Sequence, residues 1–204
     1  MAKRKAADRS NQRHRTRKEL LAAAARLMKQ GGAPDMDEIA AEAMVSRATA
    51  YRYFPSMESL LVEAPLDGLI PRVEDVFPAS DTSTDPVERA ARAEAALHQA
   101  SYRNESQLRL MLAASLERVA IERPHDDVPV RQNRRTPLIE AALAPARRKM
   151  SKATHARLCA ALAVFCGPES MIVFQDVLGI DEKAAQKVKT WAVRELVTAA
   201  LRES

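Results

Sequence analysis

The segment 47–53 concentrates side chains that can bind the edges and backbone of a nucleic acid: two arginines, a threonine and two tyrosines. Arginine can pair with a guanine edge, a small or aromatic side chain can contact a thymine methyl, and hydroxyls can reach phosphate oxygens. A helical rotation of about 100° per residue places the best-suited positions on one arc, away from Ala50 and Phe54. The predicted base-reading positions are Arg47, Ala48, Tyr51 and Arg52, and the predicted phosphate contacts are Thr49 and Tyr53.

The residues before this segment predict how it is positioned. Asp35 and Glu38 have the spacing of a capping box, which starts a short helix over about 36–43. Ala40 is small enough to lie where two helices cross, and a tight turn follows at Met44. Ser46 can cap the next helix, which Pro55 ends near Phe54. The pattern predicts a helix-turn-helix whose second helix fits a DNA major groove, with Ser46 at its edge.

The net charge of +5 is concentrated at the N-terminus. Residues 1–60 hold 12 basic and 7 acidic residues (12 − 7 = +5), whereas residues 61–204 hold 20 of each (20 − 20 = 0). A local excess indicates a local anionic partner, here double-stranded DNA. Residues 1–14 lack apolar periodicity and are predicted to be a flexible basic arm, and Arg17, just beyond it, is a further predicted DNA contact.

The whole chain is predicted to be all-α. Glycine is scarce, and apolar residues recur at helical spacing with no competing strand-like alternation. The first helix is predicted to begin at Thr16 and to end at Gly31-Gly32. After a proline-rich loop over 71–86, helices are predicted over 86–101, 105–121, 136–149, 153–166, 168–178 and 181–202. The predicted domains are the arm (1–14), a helix-turn-helix domain (15–62) and a helical body (63–204).

Several classes of protein are disfavoured by what the sequence lacks. Its longest uncharged run has 11 residues, Leu158 to Pro168, and a spanning helix needs roughly 17–25, so no membrane association is expected. The charged N-terminus does not resemble a signal peptide, and two cysteines suit a reducing compartment, so we expect a cytoplasmic protein. Histidines have no metal-ligand spacing and no phosphate loop occurs. We therefore predict no enzyme activity, no metal and no cofactor.

Any small-molecule pocket is expected among the central helices of the body. Only five aromatic residues lie outside the segment 51–54, so such a pocket would be aliphatic and suit a small apolar ligand. For each candidate the alternative is an ordinary core or surface residue. The candidate ligand contacts are His98, Tyr102, Met111, Ser115 and Phe165.

Three strings of this sequence, taken together, closely resemble the TetR (tetracycline repressor-like) family over residues 15–62. They are TRKELLAA at 16–23, DEIA at 37–40 and VSRATAYRYFPS at 45–56, and the segments 167–169 and 176–191 show a weaker similarity. The resemblance implies a homodimeric transcription regulator, more often a repressor, with heads that bind a palindromic operator and a body that often binds a ligand. It also implies DNA contacts at 47–49 and 51–53, and a dimer interface formed by the last two helices. In a bacterial cell such a protein would lie on the nucleoid when bound to DNA.

Two details qualify the resemblance. The family usually has glycine where Met44 stands, and a left-handed conformation there is expected to cost ~1 kcal/mol. The last helix carries an apolar stripe that must be buried in its own core or in a second copy, and the resemblance favours the second copy. The stripe comprises Val188, Trp191, Ala192, Leu196, Ala199 and Ala200.

Two other hypotheses remain open at this stage. One is a helical enzyme or partner-binding scaffold in which the basic N-terminus has no DNA role. The other keeps DNA binding but makes the body a dimer clamp without a ligand. Duplex binding would distinguish the two DNA-binding hypotheses from the enzyme or scaffold, and an enclosed ligand site would distinguish the ligand-responsive regulator from the dimer clamp.

Overall fold

The computed structural model describes residues 2–30, 34–121 and 130–203, with side chains from Gln12 onward, Asp67 excepted. Within these ranges the chain forms helices and connecting turns and no strand, which confirms the predicted all-α class. The predicted helix end at Gly31-Gly32 lies outside the described residues.

The described chain contains eleven α-helices and three short helical turns of other types. The α-helices are α1 (Ala2–Lys29), α2 (Met36–Glu42), α3 (Arg47–Tyr53), α4 (Met57–Glu63), α5 (Val73–Val76), α6 (Pro86–Arg103), α7 (Glu105–Ile121), α8 (Thr136–Leu143), α9 (Lys152–Phe165), α10 (Pro168–Ile172) and α11 (Glu182–Arg202). Two 3₁₀ turns, Ala64–Gly68 and Ala144–Lys149, follow α4 and α8, and a π turn, Val173–Val177, follows α10.

The first helix begins fourteen residues before the predicted start. The backbone of residues 2–14, which the sequence predicts to be a flexible arm, continues α1 back to Ala2. Alanine, lysine and arginine, which dominate this stretch, are strong helix formers. Apolar periodicity predicts which face of a helix is buried, and its absence does not prevent a helix from forming.

The chain divides into two compact units. The first, called the head, comprises Met1–Leu69 with Ser106–Asn133, and the second, called the body, comprises Ile70–Glu105 with Arg134–Ser204. This division differs from the predicted boundary after residue 62, because α7 joins the head. Within the head, Gln107 donates to the carbonyl oxygen of Val62 at 2.6 Å and Arg118 donates to that of Tyr53 at 2.9 Å.

Local capping defines the two helices of the predicted helix-turn-helix. The Asp35 carboxylate accepts from the Glu38 amide, and the Glu38 carboxylate accepts from the Asp35 amide, both at 2.9 Å. The Ser46 hydroxyl accepts from the Thr49 amide at 3.1 Å and so starts α3. Both helices therefore begin where the capping pattern predicts.

The turn between α2 and α3 is left-handed at a residue that carries a side chain. Met44 has φ of 54°, and its side chain is 89% exposed. Its conformation lets the Val45 amide donate to the Ala40 carbonyl at 2.9 Å, which closes the turn. Left-handed backbone is costly for any residue with a Cβ, so the turn carries strain that no packing of the Met44 side chain offsets.

In the body, α6, α8, α9 and α11 share one apolar core, and the proline-rich loop is bound to α6 by two arginines, Arg89 and Arg92, both of which contact Asp81 and the Phe77 ring. The Arg89 guanidinium lies 4.1 Å from the centre of the Phe77 ring and binds Asp81 at 2.5 Å. It also donates to the carbonyl of Ala141 at 3.0 Å, near the end of α8. One planar cation thus joins the loop to two helices of the body.

A set of ionisable side chains is buried inside the body; we call Glu94, His98 and Lys189 the buried polar cluster. All three are at most 1% exposed. The Lys189 ammonium lies 3.0 Å from Glu94 Oε1 and 3.2 Å from His98 Nδ1. Burial, reinforced by the charge of Lys189, lowers the pKa of His98 to about 4, and burial raises the pKa of Glu94.

No single helix within the described ranges has the length and apolar character to cross a membrane. Taken together, Lys152–Phe165 and Pro168–Val177 reach that length and composition, but as a pair bent by 45°.

Met44→Gly is expected to raise the free energy of unfolding by about 1 kcal/mol, because glycine adopts the left-handed conformation without strain. Urea unfolding followed by circular dichroism measures the change. The matched control is Ala41→Gly, an exposed position with helical backbone, which should lower stability by roughly 0.5–1 kcal/mol. If the Met44→Gly protein is no more stable than the wild type, the inference of backbone strain at Met44 is wrong.

The stability of the body is expected to fall as the pH drops from about 6.5 to about 4. In this window the unfolded chain protonates His98 and the native protein does not, so the unfolded state binds more protons. The loss is up to about 3 kcal/mol at pH 4. The groups facing His98 are Glu94, Lys189, Glu182 and Tyr102.

Urea unfolding at pH 7, 5.5 and 4.5, on the wild type and on His98→Gln, isolates this contribution from that of Glu94. The variant should lose less stability on acidification than the wild type. Equal losses in the two proteins would contradict the assignment to His98.

Candidate nucleic-acid interface

The candidate interface is the outward face of α3. Arg47, Ala48, Tyr51 and Arg52 are exposed, whereas Ala50 on the same helix is completely buried. The helix therefore presents to solvent the four positions predicted to read bases. Its inward side packs in the head core with α1 and α2.

Two of the exposed side chains make surface contacts that DNA could replace at low cost. Arg47 pairs with Asp37 at 2.8 Å, and both side chains are more than half exposed. An ion pair in this setting contributes about 0–1 kcal/mol. The Arg47 guanidinium also lies 5.5 Å from the Tyr51 ring, so the arginine and the tyrosine approach a common surface.

Ser46 and Thr49 are engaged with each other at the start of the helix. Their hydroxyl oxygens lie 2.9 Å apart, and the Ser46 hydroxyl also caps the helix. Ser46 is exposed and Thr49 is half-buried. Both stand at the rim of the outward face, with Ser46 serving the backbone of α3 as its cap.

Two predicted DNA contacts do not face solvent. Tyr53 is 2% exposed and Arg17 is 1% exposed, so neither side chain is presented to solvent in this structure, and DNA contact by either residue stays a prediction. The Arg17 guanidinium is drawn inward by the buried carboxylate of Glu63, with which it forms an ion pair. It also stacks 4.1 Å from the centre of the Phe54 ring.

Arg17 belongs to a hydrogen-bond network that we call the α3 latch: Arg17, Glu63, Arg118 and the backbone of Tyr53. Arg17 and Arg118 donate to the carbonyl oxygen of Tyr53 at 3.2 and 2.9 Å. Two cations thus meet the negative end of the α3 dipole. The latch fixes the end of the helix whose outward face is the candidate interface.

The latch also forms hydrogen bonds with the backbone of residues after α7. The Glu63 carboxylate accepts from the Gln132 amide at 2.8 Å, and Arg17 donates to the Val130 carbonyl at 2.9 Å. Sequence reasoning missed Glu63 and Arg118 because their partners lie 46 and 65 positions away along the chain. The local pattern contained no signal for either.

The predicted ligand contacts are divided between the two units. His98, Tyr102 and Phe165 belong to the body, whereas Met111 and Ser115 lie on α7 in the head. The Ser115 hydroxyl donates to the Leu112 carbonyl of its own helix at 2.8 Å, and Met111 is buried.

In the body, His98 and Tyr102 are in contact, with ring centres 4.5 Å apart, and His98 belongs to the buried polar cluster. Phe165 packs beside the body core as a half-buried side chain. Sequence reasoning missed Glu94 and Lys189. The available signal was the four-residue spacing of Ala185, Lys189, Val193 and Val197, which puts a lysine in the middle of a buried stripe.

Within the described ranges no group of three histidine, cysteine, aspartate or glutamate side chains could hold a metal ion.

Comparison with known families adds an independent finding at this point. The sequence profile of the family described as bacterial regulatory proteins, tetR family, matches residues 20–64. No curated protein gives a significant match to the chain. The matched residues include α2, α3 and α4, the turn at Met44 and the exposed face of α3. Residues 20–64 therefore form a DNA-binding domain of the TetR type.

Proposed function

We propose that the protein is a homodimeric, ligand-responsive repressor that reads a palindromic operator with α3, and that it acts in the cytoplasm on nucleoid DNA. The observation that carries the DNA-reading part is the outward face of α3. Four side chains suited to base edges are exposed there while the remainder of the helix is held by the head core and the α3 latch.

The side chains of this face define the expected mode of reading. Arg47 and Arg52 can each donate two hydrogen bonds to a guanine, and Ala48 and Tyr51 can contact thymine methyl groups. Thr49, at the rim, suits a phosphate oxygen.

Replacing both base-reading arginines should remove specific binding. Arg47→Ala with Arg52→Ala is expected to weaken binding to the DNA upstream of the protein's own coding region by at least about thirtyfold, since each guanine contact supplies about 1–3 kcal/mol. Fluorescence anisotropy on labelled duplex at fixed salt measures the change. Because neither side chain packs in the head core, the fold should survive, which circular dichroism checks.

The matched control is Arg148→Ala with Lys149→Ala, which removes the same charge from exposed positions of the body. It should change affinity by less than about threefold at physiological salt, since it alters only long-range attraction. Equal weakening by the two double variants, or no weakening by the α3 variant, would rule out base reading by this face.

The proposed dimer rests on a second apolar face of the body. Helix α11 buries one side in its own core, yet Trp191 on another side is 64% exposed. Val177, at the end of the π turn, is 73% exposed. Large exposed apolar side chains on a folded protein can mark an interface, and a twofold dimer joins such a surface to its own copy. Those on α9, the π turn and α11, or directly beside them, are Val164, Val173, Val177, Leu178, Val188 and Trp191.

Trp191→Glu is expected to convert the dimer to a monomer at micromolar concentration, because it places a charge in an apolar interface. Sedimentation velocity measures the state of association. The control is Leu116→Glu on α7, which changes an apolar side chain that is similarly exposed, at 69%, but lies in the head. Wild-type protein that sediments as a monomer, or Trp191→Glu protein that remains dimeric, would refute this interface.

The proposed ligand response follows the connectivity of the chain. Helix α6 carries His98 and Tyr102 near its end, and α7 begins after one intervening residue, Asn104. Helix α7 in turn carries Arg118 of the α3 latch. If a ligand shifts the end of α6, that shift would be transmitted through α7 to the end of the reading helix. Two heads must lie about one helical turn of DNA apart, so a small shift suffices to abolish binding.

A further inference from the structure

We propose that the body binds an uncharged small molecule through its carbonyl oxygen, with His98 and Tyr102 as the hydrogen-bond donors. The site lies beside the buried polar cluster, between the end of α6 and the first turns of α11. This inference rests on the proposed ligand response and adds to it the chemistry of the ligand.

The buried polar cluster fixes which nitrogen of His98 carries the proton. An ammonium group only donates hydrogen bonds, so Lys189 Nζ, 3.2 Å from His98 Nδ1, makes that nitrogen an acceptor. The neutral ring then carries its proton on Nε2. Lys189 is held in place by Glu94, whose second oxygen receives the Thr190 hydroxyl at 3.4 Å. The cluster therefore presents His98 Nε2 as a donor of fixed orientation.

This donor and a second one are buried without a hydrogen-bond partner within the described protein. They are His98 Nε2 and the Tyr102 hydroxyl. The Glu182 carboxylate stands 4.0 Å from Nε2, which is beyond hydrogen-bond distance, and the Glu182 backbone comes near enough to oppose the lowering of the His98 pKa without forming a hydrogen bond of ordinary geometry. The two rings are 4.5 Å apart, so both donors belong to one small region. An unsatisfied buried donor costs about 1–3 kcal/mol, which an acceptor on a ligand would recover.

The charges around the two donors select an uncharged acceptor. Burial and then the carboxylates of Glu182, Glu105 and Asp181 raise the pKa of Tyr102, so that region is electronegative and repels an anion. An ammonium ligand has no hydrogen-bond acceptor and would leave both donors unpaired. A carbonyl oxygen carries no net charge and has two lone pairs, one for each donor.

The surroundings of the cluster suit an apolar remainder of the ligand. Along the same two helices, Ala93, Leu97 and Val193 belong to the body core. Cys166 lies in that core too, and burial raises its thiol pKa to about 12, so it contributes an uncharged surface. The combination favours a molecule with one carbonyl group and an aliphatic chain.

The test uses the full-length protein and three matched probe series. These are the 2-alkanones from 2-hexanone to 2-dodecanone and the n-alkanoates and n-alkylamines of the same chain lengths. Titrations followed by calorimetry give the affinities, and the ¹⁵N signals of His98 report on Nε2. We expect at least one 2-alkanone to bind, to shift the Nε2 signal, and to bind at least tenfold more tightly than the alkanoate and alkylamine of equal length.

Tyr102→Phe keeps the ring and removes only the hydroxyl, and it should weaken 2-alkanone binding at least tenfold. Thr198→Val, which removes a half-buried hydroxyl elsewhere on α11, should leave the affinity unchanged. Equal 2-alkanone affinity in Tyr102→Phe and the wild type, tighter binding of an alkanoate or alkylamine, or no binding by any series would overturn the inference.

Binding to the upstream DNA, measured on the same preparations without a probe, separates this inference from the proposed function. Protein that binds DNA specifically but fails the probe tests would refute the carbonyl site alone. Protein that passes the probe tests but does not bind DNA would refute the proposed repressor and leave the carbonyl site standing.

Discussion

The head is organised around the buried ion pair between Arg17 and Glu63. A buried pair contributes little net stability, but losing one partner leaves an uncompensated charge at a cost of about 3–5 kcal/mol. The pair therefore acts as a constraint on position. It joins α1 to the end of α4, and Arg17 reaches on to the carbonyl oxygen of Tyr53 at the end of α3. The outward face of α3 can present Arg47 and Arg52 in a fixed direction because the inward end of that helix is held by charge as well as by apolar packing.

The parts of this head that could be predicted from sequence are those encoded locally. Capping by Asp35 and Ser46 depends on residues two or three positions away, and the outward face of α3 depends on helical periodicity. The direction of the Arg17 side chain depends on Glu63, far along the chain, so nothing in the local sequence indicates that this basic residue is buried. The early start of α1 escaped prediction for a different reason, since a stretch without apolar periodicity gives no periodic signal.

In the body, too, some features can be predicted from nearby residues and others depend on residues far along the chain. The apolar spacing of α11 predicts a stripe, but the helix has two apolar sides, and the sequence alone does not say which of them meets its own core. Val193 and Val197 face that core, whereas Trp191 faces outward. Lys189 falls on the inner side, where a lysine is tolerated only because Glu94 and His98 meet it. The groups that compensate the lysine charge lie on α6, about ninety positions earlier, and no pattern within α11 predicts them.

Charged networks thus occur at both ends of one continuous stretch of chain: the buried polar cluster at α6, and the α3 latch, to which α7 contributes the half-buried Arg118. Networks of this kind have few arrangements that satisfy every charge, so they change in discrete steps and resist gradual deformation. A ligand that accepts from His98 and Tyr102 would alter the hydrogen bonding at the end of α6, which leads within one residue into α7. In the proposed response, a change at that end of α6 would reach Arg118, which shares the carbonyl of Tyr53 with Arg17. A neutral carbonyl group would in this way influence a DNA-binding surface, because a hydrogen-bonded polar network stands at each end of the path.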